Sequence, residues 1–521
     1  HVNYYPVGIQ TFEKLREDHY LYVDKTKYIV DFRKKKMSYV FLSRPRRFGK
    51  SLFASTLHAY FAGKKELFDG LKIMELEEEW TEYPVIRLDM SGAGATAAEI
   101  KDYLNLEFSK YEALYSIKPK ETSRESVRFQ VILDTAYQKT GKQVVVLIDE
   151  YDSPLQHSWK TPEHEGCTEV YRSVFSVLKL KGNVLRFVFI TGITKFTQIS
   201  LFSVLNHLTN ISFLPQFAPL CGITEEEMTV NFAPELEALA DKMECSIEEA
   251  HDKLKTYYDG YHFSDENMTD IYNPFSLLNA LSQLRLRNYW ISSGATSMLN
   301  KFVNNMELRL HDFEDCYIDK DTLETSDVIE GGSELFLYQT GYLTIKGFDE
   351  DGYSLGFPNE EVRKALYKAV LPALTQKDIT DIVSIQSRLM HSMNNGNLEE
   401  AKQCMKSLIS NVPYSNKKLV SMDMEERYRL IISTILNAIG CQVEVEHMLS
   451  TGRIDIVAST SRFIYVMELK LANNGGINAA EKQMIDNGYL KPFLADDRKV
   501  IGVAVELDDM GKGLIDWKEV K

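Results

Sequence analysis

Tyr39-Val40-Phe41-Leu42-Ser43-Arg44-Pro45-Arg46-Arg47-Phe48-Gly49-Lys50-Ser51 is the stretch that decides the fold. A short apolar strand ends in a turn carrying Pro45 and Gly49, and Leu52 to Phe61 continues with helical spacing. A strand, a basic loop and a helix opening on Gly-Lys-Ser make a phosphate cradle. Backbone N–H groups at the helix amino end meet phosphate, the lysine reaches the outer phosphates, and the hydroxyl ligates Mg²⁺. Arg44, Pro45, Arg46, Arg47, Phe48, Gly49, Lys50 and Ser51 are therefore the expected nucleotide-binding loop, with Ser51 a metal ligand. Arg44 stands where the first glycine of GxxxxGK[ST] belongs. That substitution questions the loop's backbone geometry more than its affinity for phosphate.

Working outward, Val144-Val145-Val146-Leu147-Ile148 is a β-branched run, the mark of a strand buried on both faces of a parallel sheet. It runs into Asp149-Glu150. This is the Walker-B form, in which Asp149 holds Mg²⁺ and Glu150 polarises the attacking water. Pro84–Asp89 and Arg186–Gly192 read as further strands, and long amphipathic segments separate all four, which predicts an α/β domain with a parallel sheet. Thr191, Thr194 and Lys195 at the end of the last strand are candidates for sensing a γ-phosphate. Arg46 or Arg47 could serve as an arginine finger or could simply be solvated.

The 521 residues are too many for one core and predict roughly two to four domains. The longest apolar strands run to about five residues against roughly twenty for a bilayer span, so no membrane segment is expected. Charged residues interrupt Phe12 to Lys36, so no secretory signal is expected there. Six scattered cysteines without a CxxC pair speak against a disulfide framework or a zinc knuckle and for a reducing, cytoplasmic setting. A net charge of −15 is the wrong sign for wrapping nucleic acid over a broad surface, so any such contact needs a local basic patch or bound metal.

Near the carboxyl end, Gly452-Arg453-Ile454-Asp455-Ile456 precedes Glu468-Leu469-Lys470, both on expected adjacent strands. Asp455 and Glu468 could share one or two Mg²⁺ ions, since a hard cation takes oxygen ligands. Lys470, two residues beyond Glu468, falls on the same face of its strand. There it could orient water or neutralise charge developing on a phosphodiester. An acid, a spacer and ExK on a strand is the PD-(D/E)xK nuclease pattern.

Pro6-Val7-Gly8, Tyr22-Val23-Asp24-Lys25-Thr26, the Ser43–Ser51 loop, Pro84–Asp89, Asp149-Glu150-Tyr151-Asp152 and Tyr258-Asp259-Gly260-Tyr261 resemble the bacterial AAA-ATPase-like family. In that family the loop itself reads RPRRFGKS. The resemblance implies an ATP-binding module, with Asp24 to Thr26 near the nucleotide. Residues 420–495 resemble the nuclease-like domain often fused to such modules. In that pattern Glu425 is an accessory acid and Gln483 a supporting polar residue, and the aspartate arrives as Arg-Ile-Asp rather than Pro-Asp.

The resulting expectation is a P-loop ATPase domain over 1–223, a helical lid with a winged-helix-like region over 224–420, and an α/β restriction-endonuclease-like domain over 421–521. Its partners would be ATP, Mg²⁺ and nucleic acid, most readily DNA, and the sequence is compatible with a homo-oligomer. From Glu425 to Lys521 there are 15 acidic and 12 basic residues, which points to weak or tightly regulated binding. The alternative function is a nucleotide-controlled switch or scaffold whose terminal domain binds nucleic acid or protein without cutting.

Overall fold

The computed structural model describes residues 6–118, 120, 123–195, 208–290, 299, 316–325, 328, 331–375, 377–410 and 423–521. The chain divides into two compact units, His1–Met298 with Phe313–Val362, and Leu299–Asp312 with Arg363–Lys521. Among the described residues, no helix is long and apolar enough to cross a membrane.

The first unit is built on five strands: β1 (Tyr39–Ser43), β2 (Val85–Asp89), β3 (Val144–Asp149), β4 (Leu185–Gly192) and β5 (Leu208–Asn210). All six residues of β3 are buried, and each of the five apolar side chains, Val144–Ile148, contributes roughly 1.5–3 kcal/mol. The order is β2-β3-β4-β1-β5 and all pairings are parallel. Helix α1 (Lys50–Phe61) follows β1, while α2 (Ala97–Leu114) and α3 (Glu125–Thr140) lie between β2 and β3 in the chain. Since β1 neighbours β4 rather than β2, the carboxyl ends of β1, β3 and β4 open onto one crevice, where α/β sheets bind ligands. The register aligns Ser43 with Gly192, Ile148 with Ile190, and Asp89 with Asp149.

Beyond the sheet come α4 (Glu225–Lys242), α5 (Ile247–Tyr258) and α6 (Pro274–Gln283). Thr224 with Glu227 and Ser246 with Glu249 form capping boxes that fix the starts of α4 and α5. The chain breaks between α4 and α5 at the left-handed Glu244 (φ 54°). Met228, Phe232, Leu254, Tyr258 and Leu277 close the core of this layer. Strand β6 (Cys316–Asp319) and helix α7 (Gly332–Thr340) precede a hairpin of β7 (Thr344–Phe348) and β8 (Gly352–Gly356), with β6 antiparallel to β8. A helix and a three-stranded antiparallel sheet thus occupy this part of the 224–420 region.

In the second unit, α8 (Ile379–Asn395), α9 (Leu398–Leu408) and α10 (Met424–Ala438) lead into β9 (Gln442–Leu449), β10 (Gly452–Ser459) and β11 (Phe463–Leu471). Helix α11 (Gly476–Asp486) crosses to β12 (Lys499–Leu507), parallel to β11, and β13 (Leu514–Val520) closes the edge. The mixed sheet runs β9-β10-β11-β12-β13. Ile454, Val466, Ala480, Met484 and Ala504 pack α11 onto it.

Candidate nucleotide and metal sites

The left-handed positions of the loop are Arg47 (φ 66°) and Gly49 (φ 93°), not Arg44. A glycine at 44 is consequently not needed for backbone reasons. Instead the Arg44 side chain turns inward, 2% exposed, and donates to the carbonyls of Ser43 (2.9 Å), Ser212 (2.8 Å) and Phe217 (3.1 Å). Its guanidinium lies 4.2 Å from the Phe263 ring centroid. Arg44 thus holds the loop in place, with its guanidinium engaged by three backbone carbonyls. Phe48 is likewise an anchor, edge-on to Tyr261 at 4.8 Å, and Arg47 stacks over Phe275 at 4.8 Å. Pro45 abuts Gly341, where a Cβ would come within 2.6 Å.

Gly49 caps α1 without a side-chain hydrogen bond, which leaves the amino end of the helix open to an anion. Lys50 is buried and donates to the carbonyls of Arg44 (2.9 Å) and Pro45 (2.8 Å). Burial lowers its pKa, opposed chiefly by the charge of Glu150. Two neutral carbonyls are weaker acceptors than phosphate oxygens, so the amine is poised to exchange them for an anion.

Across the crevice, Asp149 accepts from Thr191 Oγ1 at 2.5 Å and pairs with Arg87 at 3.3 Å. Arg87 also donates to the carbonyl of Ser51 at 3.3 Å, linking the acidic strand end to the start of α1. Glu150 is left-handed (φ 47°), and burial raises its pKa while Lys50 pulls the other way. Asp152 accepts from the Thr194 N–H (2.7 Å) and hydroxyl (2.5 Å). Thr191 and Thr194 therefore brace the two aspartates, and the Lys195 N–H donates to Gln339 at 3.3 Å. Arg87 was missed in the sequence. Its one signal was a charge inside an otherwise apolar strand.

Beside Gly49 opens a pocket of about 80 Å³ lined by apolar side chains including Leu21, Val23, Leu52, Ile223, Pro274 and Leu278. Lys25 also borders it but is tied to the Pro219 carbonyl (2.7 Å) and Glu227 (2.8 Å). Asp24 is occupied by Thr26 and the Lys72 N–H. Tyr258-Asp259-Gly260-Tyr261 lies under the loop, with Tyr261 stacked beside Phe263 and its hydroxyl on the Gly341 carbonyl at 3.0 Å. An open helix end, a lysine, an acidic strand end and an adjacent apolar pocket suit a nucleotide with Mg²⁺, for which Ser51 and Asp149 are the available oxygen donors.

In the second unit, Val445 pairs with Ile456 and His447 with Ile454, so Glu446 falls opposite Asp455. Ile456 pairs with Met467, so Asp455 in turn falls opposite Glu468. Asp455 Oδ2 accepts from the Leu469 N–H at 2.8 Å, and the Asp455 N–H points to Glu468 at 3.4 Å. Burial, reinforced by the charge of Asp455, raises the pKa of Glu468, and Lys470 opposes the shift. Glu425, on α10, is raised by burial and senses both Lys470 and Asp455. Gln483 stands apart from this group, donating to the Tyr489 hydroxyl at 3.1 Å, which itself donates to the Arg453 carbonyl.

Among the described residues, no three His, Cys, Asp or Glu side chains form a ready-made metal cage. Two crowded carboxylates whose repulsion a cation would relieve still fit Mg²⁺, which keeps several waters and needs few protein ligands. The sequence reading missed Glu446, whose only signal is cross-strand register.

A profile described as "Predicted AAA-ATPase" matches residues 6–202, and one described as "PD-(D/E)XK nuclease superfamily" matches residues 423–517. The chain is also 31% identical over 530 residues to "Uncharacterized protein in vnfD 5'region" of Azotobacter chroococcum mcd 1, covering 96% of this chain and 98% of that one.

Proposed function

Because the chain belongs to the predicted AAA-ATPase family and ends in a domain of the PD-(D/E)XK nuclease superfamily, we propose that it is an ATP-controlled nuclease. ATP occupies the Arg44–Ser51 loop, with its base against the apolar pocket and its outer phosphates on Lys50. Ser51 and Asp149 hold Mg²⁺ there, and Glu150 orients the attacking water. The ATPase region over 1–223 and the helical region over 224–420 then govern a terminal domain over 421–521. The setting is cytoplasmic, where reduced cysteines and ATP coexist.

At the second site Asp455 and Glu468 hold the divalent ion, with Glu425 as an accessory acid and Gln483 supporting the fold behind it. The ion, when bound, offsets charge on the phosphodiester. Lys470 supplies a fixed positive charge and orients water. The water oxygen forms a bond to phosphorus, the bond to one sugar oxygen breaks, and that oxygen takes up a proton. The observation that carries this reading is the opposition of Asp455 and Glu468 on adjacent strands, with Lys470 close enough to act on both Glu468 and Glu425.

The test is plasmid and single-stranded DNA incubated with Mg²⁺ or Mn²⁺, with and without ATP. Asp455→Ala loses metal binding and nicking together. Lys470→Ala keeps the metal and loses about 10²–10³-fold in rate, the scale of one electrostatic stabiliser. Unchanged nicking in Asp455→Ala identifies a contaminant and leaves the switch reading in its place.

A further inference from the structure

Arg429 projects from α10 with only 13% of its side chain exposed. One end of its guanidinium lies 3.3 Å from Asp455 Oδ1 and the other 3.1 Å from Glu446 Oε1. Glu446 adopts a left-handed backbone (φ 57°) within β9, a conformation that costs a non-glycine residue energy and needs support from its surroundings. Arg453 braces the same carboxylate at 3.3 Å. Three carboxylates therefore follow one another across β9, β10 and β11, and a permanent cation already sits between the first two.

Phosphodiester hydrolysis with two cations uses one on each side of a shared carboxylate, so that attacking and leaving oxygens are both stabilised. In this chain the position between Asp455 and Glu446 is filled by a group that cannot lose its charge. We propose that Arg429 is the built-in second cation of this site, so that a single divalent ion, on Asp455 and Glu468, completes it. This inference rests on the nuclease reading. The guanidinium offers five N–H donors and the two carboxylates engage only its ends, so donors remain for a phosphate oxygen. It then stabilises the same hydrolysis, with water oxygen joining phosphorus and the sugar oxygen leaving with a proton.

The experiment is a Mn²⁺ titration of the full, nucleotide-free chain, counting the ions whose binding disappears in Asp455→Ala, beside a nicking assay. Wild type binds one such ion. Arg429→Met, which removes the charge at similar length, binds two, and its nicking rate falls roughly 10- to 1000-fold. Arg429→Lys keeps the count at one and recovers part of the rate. Zero or two ions in wild type overturns the proposal, and so does a single ion in a folded Arg429→Met. Should the methionine variant fail to fold, the wild-type count decides alone. Expected counts without nicking of any nucleic acid by wild type sink the nuclease reading and leave the cation assignment standing. Nicking with two ions in wild type sinks this inference only.

Discussion

Lys50 and Glu150 act on each other electrostatically, and their substitution is expected to separate binding from turnover. Lys50→Ala removes a charge-assisted bond of about 1.5–3 kcal/mol, so the Kd for ATP rises about 10- to 100-fold in calorimetry while the melting profile is kept. Glu150→Gln retains ATP and loses most of the hydrolysis, because an amide cannot polarise water as a carboxylate does. Equal phosphate release by Glu150→Gln and wild type would remove Glu150 from the chemistry. Asp259 offers a different measurement. It is 1% exposed, no side chain among the described residues hydrogen-bonds its carboxylate, and burial raises its pKa to about 7. The folded state then binds more protons than the unfolded state between the ordinary carboxylate pKa and about 7, so stability falls as pH rises through that window. Asp259→Asn escapes this loss. Its advantage in urea melts is absent in acid, grows as pH rises, and levels off above about 7. A pH-independent difference would refute the buried titration.

At the scale of elements, the phosphate loop owes its shape to what packs beneath it. Gly260 has φ +96°, and a Cβ there would lie 2.2 Å from the Pro358 carbonyl oxygen. Gly260→Ala therefore destabilises the chain by about 1–3 kcal/mol or more, from the backbone conformation and the clash together. The adjoining Tyr261 carries the edge contact to Phe48, so ATP affinity falls along with the melting temperature. A melting temperature equal to wild type would show that the loop does not depend on this turn. Arg44 makes the same point from the other side. A residue read as part of a phosphate cradle contributes its backbone to the loop and its charge to three carbonyls behind it.

At the scale of the whole chain, two compact units with separate cores should melt in two transitions. Mg²⁺-ATP at 100 times its Kd stabilises the unit that binds it by about 2.7 kcal/mol, so calorimetry shows that transition moving upward. Control of the nuclease by ATP further requires that nicking change with nucleotide and that Lys50→Ala abolish the change. Identical nicking with and without ATP, in a protein whose first transition shifts, separates the two activities. The net charge of −15 belongs to this scale too, and it is the wrong sign for attracting a polyanion over a broad surface.

Short-range pattern was enough to identify β1 to β4, the Gly-Lys-Ser helix start, the acidic end of β3, and the adjacent strands that carry Asp455 and Glu468. Each is written in consecutive residues or in an alternation of period two, and local sterics and burial turn such patterns into structure directly. The short β5, the strands β12 and β13, and the break between α4 and α5 at Glu244 were not legible in the same way. Tertiary structure alone decided that Arg44 turns inward, that Arg87 reaches Asp149, and that Arg429 lies between Glu446 and Asp455. Those contacts join residues 62 and 26 positions apart for Arg87–Asp149 and Arg429–Asp455, and 168 apart for Arg44–Ser212. Strand register and helix packing set such distances, and no local propensity encodes them.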